Sequence, residues 1–418
     1  MIKKSTWYKL SLFNLALVAL LGVLLRYNMV YYIPFLDQRN LLHSHSHFAF
    51  AGWVGFLLNV LVIDKFLGGY EKKASHWNTY TFTSAIVNYA MMVSFLLQGY
   101  KAASIVFSTA SILINYYFAY RVSKDLSQSA APKYPKLFIK AALIFLVVSS
   151  LGPYALGYLS VTGNTHAYYN HNALYWFLHF QYNGFFSFSV LGLLFFNLCR
   201  QGLNHKYLKS FFWMLALIAG PAYLLTLLTR TVIPAVIVSN VISAVVLVIA
   251  VILFTRIIYN NWPLIMKQYS TAGIVLMSVS LSAYVLKVLL QAMSAHTGLS
   301  HLVFGYRSIV VGYLHLVFLV FISLFLIAEL LQSKVLTDES PARKSFIYMF
   351  ILAVLLNEAL LGLQGLSAVS SISIPDMQPA LFYNAVLLFV SAAALFASTL
   401  TQSYKSYKIH KYANPYNN

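Results

Sequence analysis

Three histidines open nearly the same phrase in an otherwise apolar chain: His47-Phe-Ala-Phe-Ala-Gly-Trp53, His179-Phe-Gln-Tyr-Asn-Gly-Phe185 and His315-Leu-Val-Phe-Leu-Val-Phe321. The offsets are 132 residues (47 to 179) and 136 residues (179 to 315). Eight residues before each stands Arg39, His171 or Arg307. An imidazole in hydrocarbon is costly, so intramembrane histidines mark functional sites by default. Three on a near-regular period predict a threefold internal repeat around a shared site. Imidazole binds iron, copper and zinc, so the chemistry to expect is a metal or heme centre.

Helical spacing sharpens that expectation. His43 and His47 lie at i and i+4 and share a face, Arg39 extends the face by one turn, and His45 points roughly the opposite way. Arg307 and His315 repeat the arrangement. Eight helical residues rise about 12 Å. That reach suits a heme whose propionates meet Arg39 and Arg307 while its iron lies deeper. His47 and His315, on parallel helices, would then be the two axial ligands. His179, with His43 or His45 and with His166 and His171 nearby, is the candidate for a non-heme metal. The competing reading of His179 is a histidine that hydrogen-bonds inside the bundle. Glu358, beside Asn357, is the candidate proton carrier, whereas Asp64 and Glu329 fall near helix ends and are expected to be solvated.

The elements that must position these groups are membrane helices. Hydrophobic residues make up 60% of the 418 and charged ones 9%, against about 25% charged in an ordinary soluble domain. The net charge of +19 does not indicate nucleic acid, because the basic residues sit between apolar runs and form no stripe. The single cysteine, Cys199, excludes an internal disulfide and a cysteine-cluster metal site. A span needs roughly 20 mostly apolar residues. Twelve are expected, at 9–31, 44–66, 78–98, 102–121, 137–159, 174–198, 210–229, 232–255, 270–293, 307–331, 345–368 and 380–400. The first reads as a retained span, since its apolar run carries no small-residue cleavage pattern. The fold expected is therefore an all-α integral membrane bundle of twelve helices, one domain over 1–418, with approximate repeats 1–135, 136–268 and 269–418.

Charge sets the orientation. Of 28 Lys and Arg residues, only Arg26, Arg39, Lys101, Arg230, Lys287 and Arg307 fall on one side or in one half of the bundle. By the positive-inside rule the other side is cytoplasmic, with both termini. Of the 12 histidines only His76, His205 and His410 fall there. The three repeat histidines all begin even-numbered spans, so they form one layer near the outer surface of a bacterial inner membrane.

Twelve helices with histidines on the second, sixth and tenth resemble the catalytic subunit of heme–copper oxidases and nitric oxide reductases. His43-Ser-His45-Ser-His47-Phe-Ala-Phe-Ala-Gly-Trp53 is similar to the family's second helix, and the resemblance makes His47 a low-spin heme ligand. Tyr313-Leu-His315 is similar to its tenth-helix His-x-His, with His315 as the other ligand. Leu178-His179-Phe-Gln-Tyr-Asn-Gly184 resembles the sixth-helix segment that binds the non-heme copper or iron. Tyr313 stands where the family has its high-spin ligand, 210–229 has no histidine pair, and 369–380 has no Lys or Arg. The resemblance thus implies a single b-type heme in electron transfer or in nitric oxide or oxygen handling, with an electron-donor protein or a quinol as partner. The alternatives are an active oxidase or reductase with a non-standard second metal, and a transition-metal transporter built on the outer histidines. Gly152-Pro153 and Gly220-Pro221 do not pair across two halves as transporter breaks do.

Overall fold

Apolar runs long enough to cross a bilayer must satisfy their backbone internally, and the chain does so with helices alone. The computed structural model describes residues 2–70, 76–203, 205–227, 233–296, 298–299 and 305–413, with side chains up to residue 400. There is no strand among them. Among the described residues eleven helices are long and apolar enough to span: α1 Lys4–Val30, α2 Gln38–Leu67, α3 His76–Gln98, α4 Ala102–Ser127, α5 Lys133–Val161, α6 Ala167–Cys199, then α8 Pro234–Asn260, α9 Thr271–Met293, α10 Arg307–Gln332, α11 Pro341–Ser370 and α12 Met377–Leu400. Between α6 and α8 lies α7, Leu208–Ile218. This is the architecture of a multi-pass membrane protein.

The expected span 210–229 is the one that differs. Its α-helix has 11 residues, and a 3-10 turn over Pro221–Thr226 follows. Proline cannot continue an α-helix because it lacks an N–H and crowds the preceding turn. Elsewhere the starts fall within a few residues of the apolar runs, and polar residues cap several of them. Asp37 opens α2 by accepting from the Asn40 amide at 2.8 Å. Ser270 and Ser340 do the same for α9 and α11. α2 ends at Gly68, whose φ of +57° suits a residue without Cβ.

α2, α6 and α10 form the centre. In their apolar windows 89% of α6, 72% of α2 and 50% of α10 are buried, against 17% of α4 at the periphery. Burial is unequal along these three. At one end Phe56–Ile63, Ser187–Leu198 and Leu324–Leu330 are buried throughout. At the histidine end Arg307–His315 buries no residue fully, Ala167–Leu178 only Ala173, and Gln38–Phe48 only Leu41, Ser44 and Phe48. The bundle is packed tightly at one end and loosely around the histidines.

Candidate functional site

Each central helix changes register directly beside its repeat histidine. π-helical segments cover Ala49–Gly55, His179–Phe186 and Leu316–Ser323. A π-bulge is rare and breaks the i→i−4 ladder, and it recurs at functional sites. Side chains take up the displaced carbonyls. Ser187 Oγ donates to Tyr182 O at 2.6 Å, and Ser323 Oγ to Phe318 O at 2.7 Å, each five residues back. The matching place in α2 is Gly55, where a Cβ would come 2.8 Å from Phe50 O, again five residues back. Positions 55, 187 and 323 carry the same offsets as the histidines.

The three histidines of α2 go to different partners. His47 stacks on Phe95 (4.1 Å between centroids, 10° between planes), and its Nε2 is 2.8 Å from Tyr100 Oη. His43 meets Tyr100 edge-on at 4.6 Å, so His43 and His47 do share a face. That face turns to α3 and its following turn. His45 turns to α1, where Nδ1 lies 3.1 Å from Val18 O and the ring rests against Gly22. A carbonyl can only accept, so Nδ1 of His45 carries the proton and Nε2 the lone pair. His315 has the same tautomer, because its Nδ1 donates to Val311 O at 2.8 Å. His45 and His315 lie within electrostatic reach of each other, and Arg26 within reach of both. Of the α2 histidines it is His45 that feels the charge of His315, while His47 meets Phe95 and Tyr100. Arg26 is partly buried, whereas Arg39 and Arg307 are exposed at the helix ends; Arg39 acts on His43.

His179 is fully engaged inside the bundle. Its Nε2–H donates to Ala219 O at 2.8 Å, and its Nδ1 accepts from Asn183 Nδ2 at 3.1 Å. The break before Pro221 explains the first bond, since the last carbonyls of a helix need outside donors. His166 caps its own helix by accepting from the Tyr168 amide at 3.3 Å, and His171 stacks on Tyr175 at 4.1 Å. His301 lies outside the described residues. Among the described residues no group of three or more His, Cys, Asp or Glu is placed to hold a metal ion. His179, His43 and His45 are thus directed to Ala219, Tyr100 and Val18, not to one another.

Glu358 lines a cavity of about 530 Å³ that His179 and Tyr313 also line. Its Oε1 accepts from Asn357 Nδ2 at 3.3 Å.

The largest polar feature lies at the opposite end and was not expected to be buried. Lys65 Nζ bonds Glu329 Oε2, Asn197 Oδ1 (3.1 Å) and Gln332 Oε1 (2.6 Å). Glu329 Oε1 also accepts from Asn197 Nδ2 at 2.8 Å and Tyr269 Oη at 2.5 Å. The Glu329 side chain is 0% exposed and that of Lys65 12%, so the expectation of a solvated Glu329 is corrected. Asp64 is held as well, by Tyr8 Oη at 2.7 Å and Lys4. Lys65 and Asn197 are 132 residues apart, and so are Asn197 and Glu329. The first interval equals the first histidine offset, but the second is four residues, about one helical turn, shorter than the 136 between His179 and His315, and the three residue types differ, so motif comparison passes over them.

No family model matches the chain, and no curated protein matches it in sequence.

Proposed function

We propose that the chain is a heme-binding membrane protein of the heme–copper oxidase type, with one b-type heme held between α2 and α10. The observation that carries this reading is the matched pair His45 and His315. Each fixes Nδ1–H on a backbone carbonyl, and neither Nε2 has a hydrogen-bond partner among the described residues. That is how a metal-ligating imidazole is oriented, with a backbone carbonyl setting the tautomer. The loosely buried helix segments around them fit a large group at that depth. Arg26, partly buried and near both rings, suits a propionate better than the exposed Arg39 and Arg307.

Heme bound there supplies one-electron chemistry. The chain's own contribution is to hold two neutral imidazoles in fixed tautomers, set a cation beside them and keep water from the packed end. The reading takes the short seventh helix as the remnant of a twelfth span. It sets both termini in the cytoplasm and the histidine layer near the outer face of a bacterial inner membrane, in contact with lipid. Transfer of electrons, with nitric oxide or oxygen as the wider chemistry, fits a single low-spin site. A second metal would have to displace the bonds His179 already makes.

Absorption spectra of the purified protein, oxidised and reduced, test this. One heme per chain with a low-spin spectrum is expected. His45→Ala and His315→Ala should abolish or convert it, and His47→Ala should keep it. Loss in His47→Ala with retention in His45→Ala would return the ligand to His47. A heme-free protein from heme-replete cells would end the reading.

A further inference from the structure

Four carboxyl side chains stand on the spanning helices: Asp64, Asp125, Glu329 and Glu358. Asp64 meets Lys4 at 3.2 Å, Asp125 meets Arg121 at 3.7 Å, and Glu329 meets Lys65. Glu358 differs. It stands near the middle of α11, and among the described residues no Lys, Arg or His lies within ion-pair reach of it. Its hydrogen bond comes from the neighbouring Asn357, whose Nδ2 donates to Oε1 at 3.3 Å. A carboxyl at that depth in hydrocarbon is costly unless a partner answers it, and it marks a functional site by default.

Glu358 lines the cavity of about 530 Å³ between α6, the 3-10 turn after α7, α9, α10 and α11. That is the volume of a small-molecule site. Leu286, Met293 and Leu366 line it and are exposed on the outside of the bundle, so it opens sideways toward lipid. The rest of the wall is mostly apolar and aromatic, with Tyr175, Tyr182 and Tyr313 in it. No Lys or Arg among the described residues lines it, and Glu358 is its charged group. Lys287, buried on α9, lies 5.8 Å from the Tyr284 ring centroid and acts on His179, but it does not line the cavity and does not act on Glu358. One helical turn after Glu358, Gly362 lines the same wall. A Cβ there would meet nothing within 4 Å, so the space beside the carboxyl is open.

We propose that this cavity binds a lipophilic organic cation, its charged centre set against the Glu358 carboxylate and its apolar substituents along the leucine walls and the lateral opening. Charge complementarity selects this ligand, since an acid without a base stands in a low-dielectric wall, where opposite charges attract far more strongly than in water. Aromatic rings in the wall add to the attraction for a cation. A lipid tail would leave the carboxyl unanswered. A heme would bring carboxylates of its own to a wall with no Lys or Arg. A lipophilic cation partitions into the membrane and reaches the site from the side. The cavity is separate from His45, His315 and Arg26, so this inference does not rest on the heme reading.

The test titrates full-length protein in lipid nanodiscs with tetraphenylphosphonium and with tetraphenylborate, two ions of the same shape and opposite charge, and counts binding above that of empty nanodiscs. Saturable binding of tetraphenylphosphonium is expected, at least about tenfold tighter than that of tetraphenylborate. Glu358→Gln should weaken it about thirtyfold or more, the usual cost of removing one partner of a buried charge pair. Gly362→Leu keeps the carboxyl but fills the space beside it, and should weaken binding as well. Leu352→Ala, on the exposed face of α11, should not. Equal binding of the two ions, or tighter binding of the borate, would overturn the proposal. So would phosphonium binding unchanged in Glu358→Gln or in Gly362→Leu. Heme content is read separately by absorption. Phosphonium binding to a heme-free protein would sink the heme reading alone, and a heme protein that binds no phosphonium would sink this one alone.

Discussion

At the residue scale, the decisive fact about each polar group is which partner answers it. Lys65 and Glu329 are a buried pair whose remaining bonds go to Asn197, Gln332 and Tyr269. Removing one partner of such a pair leaves an uncompensated charge and costs about 3–5 kcal/mol. Glu329→Leu should therefore strongly lower the unfolding midpoint in detergent. Lys65→Met combined with Glu329→Leu should recover most of the loss, since two apolar groups can replace a buried pair at little cost. A double variant no more stable than Glu329→Leu would show that the pair is not the source. Tyr269 belongs to the same cluster but lies in the connector before α9. Burial, and then the Glu329 charge, push its phenol well above the usual range. A raised acid contributes stability while protonated, so the contribution is complete below about pH 10, the ordinary phenol value, and is lost as pH climbs through the folded value. Alkaline melting curves should be steeper for the wild type than for Tyr269→Phe, and parallel curves would remove Tyr269 from the account. His179→Ala should cost about 1–3 kcal/mol, because Ala219 O and Asn183 Nδ2 both lose their partner.

At the scale of elements, the three π-segments are the feature the sequence conceals. Apolar runs and loop charges are legible, because hydrocarbon thickness sets the length of a span and polar caps mark its ends. The helices from α1 to α6 and from α8 to α12 accordingly fall where the runs predict. The seventh run is as apolar as its neighbours, and only Gly220-Pro221 hints that it stops. The histidine period is legible too, but which ring faces which helix is not. A π-segment adds a residue to a turn, so side-chain directions counted at 3.6 residues per turn drift past it. His43 and His47 precede the α2 segment and keep their shared face. The neighbour of the His45 ring is α1, where Gly22 leaves room for it, and no spacing within α2 shows that. At the ends of these segments Gly55, Ser187 and Ser323 face the carbonyl five residues back. Gly55→Ala would set a Cβ 2.8 Å from Phe50 O, too close for any real contact. A loss of about 1–3 kcal/mol is expected there. Gly157→Ala, on α5 with open space around it, should be neutral or slightly stabilising because alanine is the better helix former. Equal stability of the two variants in denaturant titration would show that the α2 segment tolerates a side chain.

At the scale of the whole molecule, one end of the central trio is sealed and the other is loosely packed, and charge follows the same polarity. The sealed end carries Lys65, Asn197 and Glu329 from the three central helices, bonded to one another on the 132-residue period. The loosely packed end carries the histidines. A group that needs access from outside the bundle fits the loose end. The sidedness of this arrangement in the membrane is set by the loops. Ser127 closes α4 in a stretch with Lys124, Lys133, Lys136 and Lys140, and the turn at 162–166 between α5 and α6 has no Lys or Arg. Each basic residue close to a span favours the cytoplasmic side, so Ser127 should face the cytoplasm and Asn164 the outside. Both are exposed, and Cys199 is the single native thiol. In a Cys199→Ser background, Asn164→Cys should react with a membrane-impermeant maleimide added to intact cells. Ser127→Cys should react only after the membrane is opened. The reverse pattern would invert the bundle and set the histidine layer, and any heme it holds, on the cytoplasmic side. Labelling of both cysteines in intact cells would mean that a span between them is missing, and α5 would be the helix to re-examine.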